Sequence, residues 1–144
     1  MQFSQLLLSA LLAAPAVLAA PVTSDAIAAR STTWTITNMK RVCNTADTKC
    51  TWTFGIEIGS GTATACTMVV AGTDASELSG GPTTCGAFTV TSGWSGQFGA
   101  GNGFTTLAVV DNGLDEIIWP AYTDNQLAGG VVVTPNQSYT PTAL

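Results

Sequence analysis

The chain has 144 residues, of which nine are acidic, four are basic and none is histidine, and its formal net charge is −5 at pH 7. Nucleic-acid binding by phosphate neutralisation needs a basic face, which four lysine and arginine side chains do not supply. Anionic membrane surfaces are disfavoured for the same reason. The lack of histidine also removes Ser-His-Asp triads, Cys-His pairs and the common zinc hydrolase sites.

The first 19 residues have the pattern of a secretory signal peptide. Residues 6–18 form an apolar run, and Val17-Leu18-Ala19 offers the small residues at the −3 and −1 positions that signal peptidase accepts. The run contains Pro15 and is short for a membrane span. The sequence therefore predicts cleavage after Ala19, export from the cell and no membrane span.

The segment after the predicted cleavage site, residues 20–31, is rich in alanine and has no aromatic side chain. It is predicted to be a flexible arm or a pro-segment, with Arg30 as a candidate position for trimming. The remaining residues, 32–144, are enough for one domain with one hydrophobic core.

Alternating apolar and polar residues, interrupted by Gly, Ser and Asn, predict a series of short strands in this domain. The strongest pattern is at residues 51–58, where four large apolar side chains share one face and Glu57 lies on the other. Strands are predicted at residues 33–37, 51–58, 65–71, 87–92, 105–110, 116–119 and 131–134. The tripeptide Asp111-Asn112-Gly113 predicts a hairpin between two of them, and residues 74–78 make at most one helical turn.

Four cysteines follow the signal peptide: Cys43, Cys50, Cys66 and Cys85. An even number in an exported chain predicts two disulfides, for which three pairings are possible. We favour Cys43–Cys50 and Cys66–Cys85, because each pair is nearest in sequence. A zinc site is disfavoured, since the spacings are not C-x-x-C and no histidine exists to complete a mixed site. The predicted fold class is all-β, a compact antiparallel β-barrel or sandwich stapled by two disulfides.

Carboxylates are the catalytic groups that remain, as in glycosidases, which place two acids across a cleft. Asp111, Asp115 and Glu116 flank the predicted hairpin turn, where acids are usually solvated turn residues. Their spacing does not match an EF-hand calcium loop. Glu57 points away from the core face of its strand, and Asp124 lies in a predicted loop. We predict no catalytic residue, no metal and no cofactor, and a protein that is not an enzyme.

The segment from residue 93 to 104 is glycine-rich but lacks the Lys-Ser/Thr ending of a phosphate loop. It is predicted to be a long mobile loop between strands. Trp94 and Phe98 are large and apolar within it, and they are either core plugs or an exposed recognition surface. Trp94, Gln97 and Phe98 are therefore candidate binding residues.

A second aromatic segment, residues 119–124, ends one of the predicted strands. Trp119 is interpreted as a packed ring and Tyr122 as a surface residue. The alternative is a ligand platform, because aromatic rings stack on sugars or anchor protein contacts, and it makes Tyr122 and Asp124 candidate binding residues. Asn136 begins an Asn-Gln-Ser triplet, which is a possible N-glycosylation site.

Several segments of the chain, taken in order, form a familiar pattern. They are Trp34-Thr35-Ile36, Arg41-Val42-Cys43, Cys50-Thr51-Trp52-Thr53-Phe54, Cys85, Phe88-Thr89-Val90 and residues 92–99 and 119–124. The pattern resembles small secreted fungal proteins identified as hypersensitive response-inducing proteins, which are elicitors of plant cell death. The resemblance covers roughly residues 34–141 and implies a compact β-barrel, export and recognition at the plant surface. It supplies no catalytic residues. A weaker likeness is to the barrel of the major Alternaria allergen, whose cysteine pattern differs.

Two classes of function follow. In the first, the protein is a secreted fungal elicitor or effector that triggers a hypersensitive defence response by binding a plant cell-surface or apoplastic component, and it acts as a monomer. In the second, it is a small carbohydrate-active hydrolase, or a wall-polysaccharide-binding protein, that uses surface aromatics and carboxylates. The absent histidine and the scattered acids favour the first.

Overall fold

Residues 32–144 are described by a computed structural model, in which short strands dominate. The predicted signal peptide and the predicted arm lie outside these described residues. The strands are β1 (Trp34–Cys43), β2 (Lys49–Ile58), β3 (Thr64–Ala71), β4 (Gly80–Cys85), β5 (Phe88–Ser95), β6 (Phe104–Asp111), β7 (Glu116–Ile118), β8 (Ala121–Thr123), β9 (Gln137–Tyr139) and β10 (Thr142–Ala143). One short helix, α1 (Asp124–Leu127), and 3-10 turns at Ala75–Glu77 and Ala128–Gly130 complete the described elements.

The first sheet has the strand order β3-β2-β1-β9, and all its pairs are antiparallel. In β2, the apolar side chains of Trp52, Phe54 and Ile56 are buried, as the alternation of residues 51–58 predicts. In β1 the alternation is interrupted between Thr37 and Lys40, where the pairing register with β2 shifts. This irregularity decides which β1 side chains face the core.

The second sheet has the order β10-β7-β6-β5-β4, and β8 pairs with β6 beyond the end of β7. The predicted hairpin is confirmed between β6 and β7, where Asp111 pairs with Glu116. The Asp111 carboxylate is buried, and its Oδ1 accepts hydrogen bonds from the backbone N–H groups of Gly113 (2.8 Å) and Leu114 (3.0 Å). The Asp111 carboxylate therefore stabilises the turn by accepting hydrogen bonds from two of its backbone N–H groups.

The two sheets pack face to face around one core, so the fold is a sandwich rather than a closed barrel, and the barrel that the resemblance implies is wrong in this respect. At the centre, the ring of Trp34 meets the ring of Phe88 edge-on, with centroids 5.6 Å apart. The core comprises Trp34, Ile36, Met39, Trp52, Phe54, Ile56, Cys66, Met68, Val70, Cys85, Phe88, Val90, Leu107, Val109, Ile118, Tyr122, Leu127 and Val133.

Two disulfides join the pairs of cysteines that are nearest in sequence. Cys43 and Cys50 lie opposite each other across the β1–β2 hairpin. Cys66 of β3 is bonded to Cys85 of β4, so this second bridge links one sheet to the other.

The predicted strand at residues 131–134 is wrong. Val131 and Val132 are exposed, and the segment forms no ladder, although the N–H of Val133 donates to the carbonyl of Met39 (2.8 Å). β-Branched residues favour a strand only where a neighbouring strand is available to pair with them. β9 pairs with residues 34–36 of β1, and residues 131–134 make only the single bond at Met39 farther along β1.

Within residues 32–144, no helix is long and apolar enough to cross a membrane.

Candidate functional site

The outer side of the second sheet carries a stacked pair of aromatic rings, one of them exposed and the other half-buried. Phe98 is 66% exposed, and its ring stacks on that of Phe104 with centroids 5.7 Å apart and planes inclined by 30°. The rings border a shallow apolar groove of about 330 Å³, lined by Phe98, Asn102, Phe104, Ala121, Tyr122 and Thr123. A phenyl ring that is two-thirds exposed loses apolar contact with water when a ligand covers it, which favours binding.

The loop that presents Phe98, residues 96–103, which we call the aromatic loop, is shorter than predicted and is folded on itself. The N–H of Gly99 donates to the carbonyl of Gly96 (3.0 Å), and the N–H of Asn102 donates to that of Gly99 (3.1 Å). The side-chain amide of Asn102 also donates to the carbonyl of Phe98 (3.3 Å). Gly99 and Gly101 have positive φ angles of 90° and 77°, which L side chains rarely adopt.

Trp94 lies in β5 and not in the loop, because β5 continues to Ser95 and pairs there with Phe104. Its ring is half-buried, and its Nε1–H donates to Oδ2 of Asp124 (2.9 Å). Trp94 is thus neither a core plug nor a freely exposed ring. It packs beside Gly103, at the end of the loop, where a side chain would collide with the Trp94 ring and the Asp124 carboxylate.

Asp124 also binds a buried cation. Nη1 of Arg41 donates to Oδ1 of Asp124 (3.1 Å) and to the carbonyl of Ser76 (2.9 Å), and its guanidinium lies 5.4 Å from the ring centre of Trp52. Arg41 is only 7% exposed. We call Arg41, Trp94 and Asp124 the buried polar network. Because it joins β1 to β5 and α1, it holds the base of the aromatic loop against both sheets.

The position of Asp124 is set by the start of α1. Thr123 caps this helix: its Oγ1 accepts from the N–H of Gln126 (3.2 Å), and the Gln126 Oε1 accepts from the N–H of Thr123 (2.9 Å). In addition, the N–H of Asp124 donates to the carbonyl of Gly103 (2.9 Å). The capping box and this bond fix the carboxylate between Arg41 and Trp94.

A second pocket, of about 400 Å³, lies beside the buried polar network near Gly129 and Gly130. The Asp47 carboxylate in its lining accepts from the N–H (2.9 Å) and the hydroxyl (2.6 Å) of Ser76. Asp47 is also the one carboxylate that clusters with Cys43 and Cys50 among the described residues. Both sulfurs belong to a disulfide, so this cluster has no thiolate to offer a metal.

The five predicted binding residues divide into two groups. Phe98 and Tyr122 border the groove, and the exposed Gln97 lies next to Phe98 in the loop. Trp94 and Asp124 are bonded to each other beneath the loop. Whether these residues bind a partner stays a prediction.

The interpretation of Trp119 and Tyr122 is wrong in both parts. Tyr122 is 1% exposed, and burial raises the pKa of its hydroxyl well above the usual range. Trp119 is 52% exposed. Burial alternates along this segment, so that Ile118, Pro120 and Tyr122 face inward while every second residue from Trp119 faces solvent.

The sequence analysis missed Phe104 and Arg41. Extending the alternation of β6 by one residue would have placed Phe104 on the outer face beside Thr106. No such signal exists for Arg41, because simple alternation from Trp34 points it toward solvent.

None of the six residues that line the groove carries a carboxylate or an amine. The carboxylates of Asp111 and Asp124 are already held, the first by backbone N–H groups of its own turn and the second by Arg41 and Trp94. The groove is therefore lined by uncharged side chains only.

Comparison with known proteins places the chain in a family. A family model described as Effector TSP1 matches residues 35–144. A curated protein described as Effector TSP1, from Hypocrea virens (strain Gv29-8 / FGSC 10586), is 55% identical over 146 residues, and the alignment covers 100% of this chain and 99% of that protein. The chain belongs to the Effector TSP1 family.

The residues that match the Effector TSP1 family include both disulfides, the aromatic loop and the buried polar network. The resemblance to fungal effectors is thereby confirmed at the level of the family. Membership in the Effector TSP1 family and the two disulfides are consistent with a secreted protein. The likeness to the Alternaria allergen stays a prediction.

Proposed function

We propose that the protein is a secreted elicitor that plants recognise at the cell surface or in the apoplast, and that it triggers hypersensitive cell death by binding rather than by catalysis. The observation that carries this proposal is the exposed ring of Phe98, stacked on Phe104 and presented by a folded loop. Aromatic rings are enriched in the cores of protein interfaces, and a loop that is already folded loses less conformational entropy on binding. Membership in a fungal effector family and the uncharged groove support the same proposal.

Phe98→Ala is expected to raise the dose of purified protein that causes leaf cell death by roughly tenfold or more, because a hot-spot ring contributes at least about 1–2 kcal/mol to binding. The fold should survive, since most of the ring is already in water. Leaf infiltration over a dilution series measures the effect. Leu114→Ala is the matched control, because Leu114 is a similarly exposed apolar residue at the β6–β7 turn. Equal potency of Phe98→Ala and the unmodified protein would count against the proposal.

Glu57→Gln, Asp111→Asn, Asp115→Asn and Glu116→Gln, made one at a time, are expected to leave the cell-death dose unchanged. Loss of an essential general acid or base lowers an enzyme's rate by roughly 10²–10⁴-fold. The same variants are assayed for release of reducing sugar from plant-wall polysaccharides, with circular dichroism as a check of folding. Release of reducing sugar by the unmodified protein, lost together with cell death in one folded amide variant, would establish the hydrolase alternative instead.

A further inference from the structure

One continuous outer surface of the second sheet combines exposed rings with hydroxyl groups. Phe104 pairs with Thr123 and Thr106 with Ala121 across β6 and β8. Trp119 precedes Ala121 by two residues and, like Ala121, is exposed between buried neighbours. Phe98 covers Phe104 at the other end. We call this surface the aromatic face; its members are Phe98, Phe104, Thr106, Trp119, Ala121 and Thr123.

The aromatic face has no charge. None of its six members is ionisable, and residues 80–110, which supply β4, β5 and most of β6, contain no Asp, Glu, Lys or Arg. The outer side of the first sheet differs, since it carries Lys40 on β1 and Glu57 on β2. A ligand of the aromatic face therefore gains nothing from ion pairs, and an anionic ligand is also repelled by the net charge of −5.

The two ring positions lie at opposite ends of the surface. Trp119 follows β7 and lies near the middle of β6, whereas Phe104 is the first residue of β6. At about 3.3 Å per strand residue, four positions of β6 separate the rings by roughly 13 Å. The hydroxyl of Thr106 lies on β6 between the two rings, whereas Thr123 lies beside Phe104, where its Oγ1 caps α1. An extended ligand can reach both rings, and a single small molecule cannot.

Sugar rings match each of these features. Their C–H faces pack on aromatic rings, their hydroxyls bond to hydroxyl groups, and a linear neutral polysaccharide carries no charge while repeating along its length. We propose that the aromatic face binds a linear neutral polysaccharide of the plant wall, with Trp119 contacting one sugar and the Phe98–Phe104 stack contacting another. This inference deepens the proposed function and rests on it for the place of binding.

Affinity electrophoresis on native gels tests the inference. The folded protein is run in gels that contain β-1,3-glucan, xyloglucan or polygalacturonate. At least one of the two neutral polymers is expected to retard it, and polygalacturonate is not. Trp119→Ala should weaken the retardation roughly tenfold or more, whereas Trp119→Phe should retain part of it because a ring remains. Val69→Ala, which changes an exposed residue on the first sheet, is the matched control and should not alter migration.

Three results would overturn the inference: no retardation by either neutral polymer, equal retardation of Trp119→Ala and the unmodified protein, or retardation by polygalacturonate alone. Capture of a plant protein through the same face, without polysaccharide binding, would do so as well.

The cell-death assay separates the two proposals. If Phe98→Ala loses cell death although no polysaccharide binds, the proposed function stands and the inference fails. If polysaccharide binding depends on Trp119 while Phe98→Ala keeps full cell death, the inference stands and the proposed function fails.

Discussion

Asp124→Ala is expected to lower the free energy of unfolding by about 2–3 kcal/mol, because it removes a charge-assisted hydrogen bond from the buried Arg41, while Asp124 itself is 25% exposed. Arg41 is almost fully buried, and Asp124 provides its carboxylate partner in the network. The same change removes the acceptor of the Trp94 indole N–H. Urea unfolding followed by tryptophan fluorescence measures the loss. The urea concentration at the midpoint should fall while the slope of the transition stays nearly unchanged.

Two further variants make the Asp124 result specific. Glu77→Gln, at an exposed acid in a 3-10 turn, should change stability by no more than about 0.5 kcal/mol. Combining Asp124→Leu with Arg41→Met should recover much of the loss, because removing both charges leaves no buried ion unpaired. A shift below about 1 kcal/mol for Asp124→Ala would show that water, and not the carboxylate, solvates Arg41.

Replacing Cys66 and Cys85 together by alanine is expected to reduce stability by about 3 kcal/mol, because the bridge closes a loop of about 20 residues in the unfolded chain. The sequence separation is 19 residues. This bridge is also the covalent link between the two sheets, and both of its cysteines are buried. Thermal and urea unfolding of the double variant measure the effect, with the intact protein as reference.

The hairpin disulfide provides the comparison. Replacing Cys43 and Cys50 should reduce stability somewhat less, by about 2.5 kcal/mol, since its loop is shorter. Chemical reduction of both bridges should lower the free energy of unfolding by nearly the sum of the two losses. That sum is a large part of the stability of a typical domain. Peptide mapping under non-reducing conditions checks the pairing itself. A peptide linking Cys43 to Cys66 or Cys85 would contradict it, and a larger loss from the hairpin bridge would contradict the loop-length argument.

Strands with a clear alternation were predicted closely. The predicted strand at residues 65–71 differs from β3 by one residue at one end, and the one at residues 105–110 differs from β6 by one residue at each end. β4 was missed because Gly80, Gly81 and Pro82 lower strand propensity, and it forms through pairing with β5. β8, β9 and β10 are only two or three residues long, too short to show a period. They form because β8 pairs with β6, β9 with β1 and β10 with β7.

The candidate site was predicted in part. Large apolar side chains among glycines marked Trp94 and Phe98, and both lie at the aromatic loop or its base. The predicted burial of Trp119 and Tyr122 was the reverse of the observed one. A Trp-Pro-Ala-Tyr segment shows which residues alternate but not which of the two sets faces the core. That choice depends on the pairing of β8 with β6, where Tyr122 lies opposite the buried Thr105.

The all-β class, most of the longer strands and the scarcity of acid–base groups could be predicted from the sequence alone, since they follow from local alternation and composition. The burial of Arg41 could not be predicted in this way. Alternation from Trp34 and Ile36 points it to solvent, but the irregularity at Asn38, with φ of 51°, shifts the strand by one residue and turns Met39 and Arg41 inward. A cation there is stable only because Asp124, 83 residues away in sequence, meets it across the sandwich. Local sequence carries no information on a partner that distant, so the network beneath the aromatic loop arises only when the two sheets pack.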